Sequence, residues 1–411
     1  MGFKIKGINE LLHFFEFLTI FTNLVKIFRM RKSYLTYILT VFVLLAASFQ
    51  SCNKRVDGID NNVVIETPYT MYYSDTAGAL YNTNDGISIR QMLFPSDGYS
   101  SRAICISGNN ILWIKHNLYL SANNGTNFNI ANYLFAPISG NYLLDVCDST
   151  NNQSVILNAA DEGRVYVATF TFKNWYDATN SIAYIKGLGI ACSESNGNAT
   201  TWFIDTVYDG SLNKLNAGVS NTYANVTTLT QLKNNTIVAY DPFHNRIFSK
   251  AHLNNEWVEQ RHSNTNPDSL PQPNYFTLAH FNNILVAVDN NFGNGAYYSS
   301  DTGITWHRYN GLPAGRNLIC AASPFDQVLL VGTDSMGVYK LGTDNVTFAT
   351  ANIGLQTAST VHSIAAKVNV YKNDGITKQY VYLATSQGLY RSEDLGQSWI
   401  RVQIGNIVTI Y

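Results

Sequence analysis

Short apolar runs, separated by clusters of Gly, Asn and Asp, recur along the chain after about residue 70. Such runs are typical of short strands joined by tight turns. They occur in pairs, which we interpret as the first two strands of a repeating antiparallel unit. The predicted first strands are 103–106, 155–157, 228–230, 276–279, 318–322 and 362–366. The predicted second strands are 111–113, 165–168, 236–239, 284–287, 328–331 and 381–384.

A Ser-x-Asp-x-Gly-x-Ser-Trp octet follows the last of these pairs. Its fixed positions are Ser392, Asp394, Gly396 and Trp399. An Asp side chain can accept hydrogen bonds from backbone N–H groups in a turn, and Gly adopts the positive φ that such turns need. A second copy, with Thr in place of the second Ser, is built on Ser299, Asp301, Gly303 and Trp306. Both octets therefore predict a hairpin turn followed by an anchored outer strand.

Degenerate copies of the octet occupy 82–89, 121–128, 193–202, 250–257 and 341–348. The copies end at residues 89, 128, 202, 257, 306, 348 and 399. Apart from the longer interval between 128 and 202, this is a period of about 40–55 residues, which is typical of β-propellers. Mostly aromatic residues stand two positions before each copy: Leu80, Tyr119, Ala191, Phe248, Tyr297, Tyr339 and Tyr390. We predict an all-β propeller of four-stranded blades, seven in number, with six or eight left open because degenerate repeats are easily miscounted.

The two ends of the repeat array are incomplete in complementary ways. The first repeat lacks an innermost strand, whereas 407–411 reads as a strand with no octet after it. We expect this last strand to join the first blade and close the ring, which would remove exposed sheet edges.

A further irregularity is the aromatic insertion at 170–188. We interpret this insertion as a hairpin, and the alternative is that it forms part of a ligand site.

The octet resembles the Asp-box, or BNR repeat, of sialidase-like β-propellers. This resemblance implies a possible sialidase site with three Arg, a Tyr activated by a Glu, and an Asp acid/base. The family's Phe/Tyr-Arg-Ile-Pro signature is absent, since the nearest match is Ser-Arg-Ala-Ile at 101–104. No Glu after residue 52 is expected at the ligand face: the Glu residues are Glu66, Glu162, Glu194, Glu256, Glu259 and Glu393. We therefore expect a non-catalytic member.

The N-terminal segment has the organisation of a bacterial lipoprotein signal. Residues 30–51 contain a basic start and an apolar stretch, and they end in Ser before Cys52, the predicted lipidation site. The alternative is an uncleaved membrane anchor. Residues 1–29 are then either an upstream mis-assigned start or a further hydrophobic segment. Residues 52–60 form a linker, and residues 61–411 form the propeller domain. We expect an outer-membrane lipoprotein of the cell envelope, periplasmic or surface-exposed.

Composition narrows the range of partners. The chain has 411 residues, 46% of them hydrophobic and 13% charged, and its net charge is −1. Nucleic-acid binding needs clustered Lys and Arg, which are absent, so that partner class is excluded. The eight His residues lack zinc-ligand spacing, and neither a phosphate-binding loop nor a nucleophile elbow is present, so we predict no metal and no cofactor. The thiols of Cys105, Cys147, Cys192 and Cys320 lie in or beside apolar runs, with their pairing undecided.

Three aspartates follow predicted second strands and are the candidates for catalysis. Asp241, Asp289 and Asp334 would point toward the face where propellers bind ligands, and a pair of carboxylates could hydrolyse a glycosidic bond. The competing interpretation is that they are turn-forming residues. Arg102, Arg316 and Tyr275 are candidate ligand-binding residues at the same face.

Two functions follow from these observations. The first is a non-enzymatic binding or assembly module for a glycan or protein ligand at the channel face, in the manner of the photosystem II assembly factors and sortilin-type receptors that share the repeat. The alternative is a cell-surface glycoside hydrolase. The sequence leaves the ligand and the oligomeric state open.

Overall fold

The computed structural model describes the repeat region in segments, on which every structural statement below rests. They are residues 65–66, 71–84, 88–92, 101, 103–115, 118–130, 155–159, 164–168, 172–177, 182–187, 190–198, 202–205, 228–241, 245–251, 257–260, 270–271, 276–290, 293–371 and 375–411. The predicted signal segment, Cys52 and the linker lie outside the described residues. Their assignments, and the domain boundaries that depend on them, stay predictions.

The described segments contain strands and one short 3-10 helix. In chain order the first strands are β1 (Ile65–Glu66), β2 (Met71–Asp75), β3 (Leu80–Thr83), β4 (Arg90–Gln91), β5 (Ala103–Ser107), β6 (Asn110–Ile114), β7 (Leu118–Ser121), β8 (Asn129–Ile130), β9 (Val155–Ala159) and β10 (Arg164–Ala168). Next come β11 (Phe172–Asp177), β12 (Ile182–Gly187), β13 (Ile190–Ser193), β14 (Trp202–Asp205), β15 (Thr228–Gln231), β16 (Ile237–Asp241), β17 (Arg246–Lys250), β18 (Val258–Gln260), β19 (Phe276–Phe281), β20 (Ile284–Asp289), β21 (Ala296–Ser299) and β22 (His307–Arg308). The last are β23 (Leu318–Ala322), the 3-10 helix Pro324–Asp326, β24 (Leu330–Thr333), β25 (Val338–Leu341), β26 (Phe348–Thr350), β27 (Val361–Tyr371), β28 (Thr377–Thr385), β29 (Gly388–Ser392), β30 (Ile400–Gln403) and β31 (Ile407–Ile410).

These strands form the antiparallel four-stranded blades of a β-propeller. In the described part of the chain there are six four-stranded sheets and one five-stranded sheet, besides the separate β11–β12 hairpin. The innermost strand of each large sheet contacts the innermost strand of the next, in the order β31, β5, β9, β15, β19, β23 and β27, and β27 contacts β31 again. The sheets therefore surround a central channel, and the innermost strand forms one edge of each four-stranded sheet.

The last strand of the chain closes the ring. β31 pairs with β2 and becomes the innermost strand of the first blade, with Tyr73 opposite Ile410. The ladder is extended by the N–H of Tyr72, which donates to the Tyr411 carbonyl at 2.9 Å, and by the reciprocal bond at 2.8 Å. The predicted contribution of the C-terminal strand to the first blade is confirmed.

The five-stranded sheet is the most irregular one. Its inner hairpin is long, since β27 has 11 residues and β28 has 9. The hairpin extends beyond the other blades on the side of the turns between first and second strands. There β1 pairs antiparallel with the tip of β27, with Ile65 opposite Tyr371 and Glu66 opposite Val370.

Most of the predicted inner strands coincide with observed ones. The first-strand prediction 318–322 matches β23, and the insertion at 170–188 contains the β11–β12 hairpin. The prediction of a second strand at 328–331 was wrong at its start, because β24 begins at Leu330. Val328 and Leu329 are buried and apolar, but they belong to the connection that follows the 3-10 helix.

Apolar side chains fill the space between adjacent blades. In one such cluster Leu330 of one blade packs with Leu383, Tyr390 and Trp399 of the next, and all four are at most 3% exposed. Because neighbouring blades cover both faces of a sheet, strand residues read as apolar runs rather than as strict alternation. This explains why the aromatic positions before the octets are regularly buried where the structure describes them.

Both complete octets form the predicted turn. In the last blade, Asp394 Oδ1 accepts hydrogen bonds from the N–H groups of Gln397 and Ser398, each at 2.9 Å. Ser392 Oγ accepts from the N–H of Gly396 at 2.8 Å, and Gly396 has a φ of 81°. Trp399 Nε1 donates to the Ala351 carbonyl of the preceding blade at 2.8 Å. The octet thus links its own turn to the adjacent blade.

One degenerate octet uses a different residue for the same purpose. In 341–348 the alignment places Thr343 at the Asp position, but Asp344 Oδ1 accepts from the N–H groups of Val346 and Thr347 at 3.0 and 2.9 Å. Asn345 then adopts the positive φ, 57°, that Gly has elsewhere. The turn survives because its acceptor shifted by one residue.

Replacing Asp394 tests the contribution of the octet to stability. Partial burial alone would raise the pKa of Asp394, but hydrogen bonds from Ser398, Ser392 and the Gln397 N–H outweigh it and lower the pKa to about 2. We expect Asp394→Ala to lower the free energy of unfolding by about 0.5–2 kcal/mol at pH 7. An unfolded Asp titrates near 3.9, so this contribution should be complete above about pH 4 and disappear as the pH falls toward 2.

Urea denaturation across this pH range measures the effect, with the exposed Gln397→Ala as control in the same turn. If both variants lose the same unfolding free energy at pH 7, the Asp394 carboxylate does not stabilise the turn.

Ring closure can be tested with two isoleucines near the C-terminus. Ile410 of β31 is 5% exposed and packs against the first and last blades, whereas Ile404 is 75% exposed. We expect Ile410→Ala to lower the free energy of unfolding by about 2–5 kcal/mol. The same change at Ile404 should cost less than about 0.5 kcal/mol. Comparable urea midpoints for the two variants would contradict a closing role for β31.

Candidate functional site

Two faces of the ring have to be distinguished. The turns between first and second strands and the octets between third and fourth strands lie on one face, which we call the octet face. The turns between second and third strands and the connections between blades lie on the other, which we call the opposite face. The aspartate and arginine candidates were predicted for the opposite face.

The strand register assigns a common position to two of the three aspartates. The first residue of an octet pairs with the second strand, as Ser299 does with Leu285 and Lys250 with Ile237. Four residues further along the second strand lie Asp289 and Asp241. The equivalent residues in three other blades are Lys115, Thr333 and Thr385, because Ser121 pairs with Ile111, the Leu341 N–H donates to the Leu329 carbonyl, and Ser392 pairs with Val381. Asp75 also corresponds to Asp289, because the N–H of each donates across the following turn, to Ala79 and to Gly295.

Asp and Thr side chains at this position cap the turn that follows, whereas Lys115 donates to the Gly78 carbonyl at 3.5 Å. Asp289 Oδ2 accepts from the Asn294 N–H at 2.8 Å, and Asp75 Oδ1 accepts from the Ala79 N–H at 2.9 Å. Threonine hydroxyls do the same: the Met336 N–H donates to Thr333 Oγ1 at 2.9 Å, and the Gln387 N–H donates to Thr385 Oγ1 at 3.1 Å. Asp241 and Asp289 are both fully buried. The turn-forming interpretation therefore accounts for these contacts, while a catalytic role stays untested.

Asp334 lies one residue beyond the capping position. Its N–H donates to the Asn317 carbonyl at 3.1 Å, its Oδ2 accepts from the Asn317 N–H at 3.4 Å, and its Oδ1 accepts from the Ser335 hydroxyl at 3.0 Å. These contacts hold the turn against the connection that precedes β23. Arg316, the neighbour of Asn317, is exposed on that connection. The structure thus places Asp334 and Arg316 at the same part of the opposite face.

The other candidates give less information. Arg102, Tyr275 and Cys147 lie outside the described residues. Trp113 is fully buried and its Nε1 donates to Ser101 Oγ at 2.7 Å, as expected for a core residue. Burial raises the pKa of the Cys105 and Cys320 thiols to about 12, which makes them unreactive small hydrophobes.

A cavity of about 280 Å³ opens in the central channel near the octet face. It is enclosed by the innermost strands of four consecutive blades. Its lining residues are Thr230, Leu278, Ala279, His280, Ala321, Ala322, Ser323, Pro324, Ala365 and Ala366. Consecutive residues of one strand contribute, although their side chains alternate in direction. Backbone edges as well as side chains therefore line the cavity.

A chain of polar side chains crosses three blades at the rim of this cavity. Thr230 Oγ1 lies 3.3 Å from His280 Nδ1, and His280 Nε2 lies 3.6 Å from Asp326 Oδ1. Asp326 Oδ2 is in turn 3.7 Å from Lys233 Nζ. Since a carboxylate only accepts hydrogen bonds, the neutral imidazole that suits both neighbours carries its proton on Nε2 and accepts from Thr230 at Nδ1.

The turn that carries Asp326 is strained. Phe325 and Asp326 are consecutive non-glycine residues with φ of 57° and 56°. The turn is held by the Asp326 N–H, which donates to the Ser323 carbonyl at 3.2 Å, and by the contacts of the Asp326 carboxylate with the neutral imidazole of His280 and with Lys233. Ser323 Oγ is buried at the cavity wall without a hydrogen-bond partner. Strained backbone and an unsatisfied hydroxyl at one cavity are features of functional sites.

Sequence reasoning did not find this cavity. Half of its lining residues are alanines, from three strands far apart in the chain, and alanine carries no motif. The one visible signal was the long connection between β23 and β24, which contains Pro324 and Asp326, where neighbouring blades have short turns.

Two kinds of feature were searched for across the described residues. No helix in that part of the chain is sufficiently long and apolar to span a membrane. Within the same residues no group of three or more His, Cys, Asp or Glu side chains is arranged to hold a metal ion.

Comparison with known proteins gives structural similarity only. No family model and no curated protein matches the chain. Among solved structures, YCF48 from Cyanidioschyzon merolae is 14% identical with a TM-score of 0.48, covering 76% of this chain and 93% of that one. Streptogramin B lyase is 14% identical with a TM-score of 0.46, covering 79% and 95%.

A third similar structure is the extracellular domain of the putative hybrid two component system BT4673 from B. thetaiotaomicron. It is 11% identical with a TM-score of 0.45, and the match covers 82% of this chain and 36% of that one. Similarity at this level assigns no function. The fold assignment rests on the sheets and on the contacts between their innermost strands.

The polar chain predicts a pH dependence of stability. Burial lowers the pKa of His280 below 6.5, against the opposing effect of Asp326, so the folded protein binds this proton less tightly than the unfolded chain does. The stabilisation is complete above about pH 6.5 and is lost as the pH falls through the lower folded-state pKa. We expect His280→Gln to reduce the fall in unfolding free energy between about pH 7 and 5.

Burial also lowers the pKa of His362, which contributes with the same sign, so His362→Gln serves as a comparison. The two reductions should add, because the residues lie on different strands. If the unfolding free energy has the same pH dependence in the wild type and in His280→Gln, His280 is not the source of that dependence.

Proposed function

We propose that this protein is an exported, lipid-anchored Asp-box β-propeller that acts as a non-enzymatic binding or assembly module at the cell envelope. Its ligand is a glycan or a protein, bound at the central channel. The observation that carries this proposal is the cavity enclosed by four innermost strands, whose polar rim groups Thr230, His280, Asp326 and Lys233 interact with one another. Concave cavities with a few converging polar groups are typical of binding sites.

We further propose that the propeller has seven blades and belongs with the Asp-box proteins. The blade number is supported by the described sheets. Six of them have four strands, and the five-stranded sheet is the seventh blade if β1 is treated as an addition to it. The hydrogen bonds of Asp301 and Asp394 with the turn N–H groups, and the anchoring of Trp306 and Trp399, support the repeat family.

The envelope location rests on the sequence. Residues 30–51 have the organisation of a lipoprotein signal, and Cys52 would become the lipidated N-terminus. Mass spectrometry of the mature N-terminus tests this part, since an intact Met1 would exclude lipidation at Cys52.

The role of the Asp289 carboxylate in its turn favours binding over catalysis as the function of this protein. Asp289 accepts a hydrogen bond from a backbone N–H in its turn, and threonine takes the same position in two other blades. An interchange of Asp and Thr fits a cap, because both can accept from the backbone, whereas threonine cannot replace a glycosidase carboxylate.

A glycoside hydrolysis screen with two Asp289 variants tests this choice. We expect no turnover by the wild type. Asp289→Ala should lower the free energy of unfolding by about 1–3 kcal/mol, because a buried N–H loses its acceptor, whereas Asp289→Asn keeps an acceptor and should cost less. Wild-type turnover that disappears in Asp289→Asn or Asp241→Asn would overturn the proposal in favour of a glycosidase.

A further inference from the structure

The innermost strands of this propeller can pair with additional extended chain. β1 pairs antiparallel with the channel-side edge of β27, opposite Val370 and Tyr371. No other described strand pairs with the corresponding edges of β19 and β23, although the Leu278 N–H of β19 donates to Thr228 Oγ1 at 3.1 Å, so the backbone groups left for pairing on β19 are the others of that edge. An unpaired strand edge presents alternating N–H and C=O groups to its surroundings. In this structure such edges lie beside the cavity.

The cavity walls are suited to an aliphatic group. Ala279, Ala321, Ala322 and Pro324 contribute methyl and methylene surface, and Leu278 adds a further apolar side chain. None of the lining residues is Phe, Tyr or Trp, and the one ring, the His280 imidazole, already contacts Thr230 and Asp326 through its two nitrogens. The charged rim residues Asp326 and Lys233 are already paired, hence the cavity has no uncompensated charge to attract an ion.

The size of the cavity limits what can enter. At about 280 Å³ it lies just below the range of about 300–1,000 Å³ that is usual for drug-sized ligands. One amino-acid side chain with its backbone suits this volume better than an oligosaccharide. The backbone of such a segment could hydrogen-bond to the edges of β19 and β23, as strand addition generally provides affinity through the main chain and specificity through side-chain pockets.

We propose that the cavity binds an extended segment of a protein partner, which inserts one aliphatic side chain between the innermost strands and pairs its backbone with the edges of β19 and β23. This inference rests on the proposed binding function and specifies its ligand. The partner enters from the octet face, on the side opposite to Asp241, Asp289 and Asp334.

Fluorescence polarisation with four heptapeptide sublibraries tests the ligand class. The libraries are random except for a central Leu, Val, Gly or Asp, and both ends are blocked. We expect the Leu and Val libraries to bind at least tenfold more tightly than the Gly and Asp libraries. Equal binding of all four libraries, or no binding by any of them, would overturn the inference.

Variants at the cavity wall localise the site. Ala322→Leu adds volume to the cavity and should weaken binding of the Leu library at least tenfold. Ala349→Leu is the matched control, because Ala349 is exposed on the outer strand β26 and should leave binding unchanged. If Ala322→Leu does not fold, the smaller change Ala366→Val should still weaken binding severalfold. Unchanged binding in a folded cavity variant would exclude the cavity as the site.

Backbone pairing needs a separate test. A peptide selected from the Leu library is resynthesised with single N-methyl groups. Methylation at alternate residues should reduce affinity at least tenfold, and methylation at the intervening residues should have little effect. A uniform response would overturn strand addition. A glycan array run in parallel distinguishes failure of this inference from failure of the proposed function. Glycan binding without peptide binding overturns only the inference that the ligand is a peptide. Glycan turnover overturns the proposed non-enzymatic function itself.

Discussion

Closure of the ring is the constraint on which the rest of the structure depends. Each blade exposes two apolar faces, and only neighbours on both sides can bury them. Pairing of β31 with β2 brings the last and first blades together, so that Ile410 and Tyr382 pack in one cluster although they come from different blades. Once the ring is closed, the innermost strands of the four-stranded sheets become sheet edges at the channel. The cavity is thus a consequence of the same closure that buries the core.

The octet turn shows how much sequence change this architecture tolerates. The turn needs an acceptor for two backbone N–H groups and backbone with positive φ. In the last blade Asp394 is the acceptor and both Leu395 and Gly396 have positive φ, whereas in the preceding blade Asp344 is the acceptor and Asn345 has positive φ. The requirement is for a geometry rather than for a residue at a fixed position. Repeats therefore degenerate in sequence while the blades they terminate remain alike.

Features encoded locally were predictable from the sequence, and features assembled from distant residues were not. The strands and turns follow from apolar runs and octets that each lie within one repeat, and the closing strand followed from an unmatched end. β24 was misplaced at its start because Val328 and Leu329 are as apolar as a strand but belong to a connection. The cavity combines residues from Thr230 to Ala366, and no local pattern links them.

The aspartates illustrate a related limit. Position at the end of a second strand, on the face where propellers bind ligands, made Asp289 a candidate for catalysis, with turn formation as the competing interpretation. Strand register places Asp289 at the same position as Thr333 and Thr385, and all three side chains accept hydrogen bonds from the following turn. At this position an acceptor, whether carboxylate or hydroxyl, serves the turn. The same comparison between blades applies to His280 and Asp326. The other described blades have no equivalent pair, so these two residues distinguish this region of the ring from the repeat.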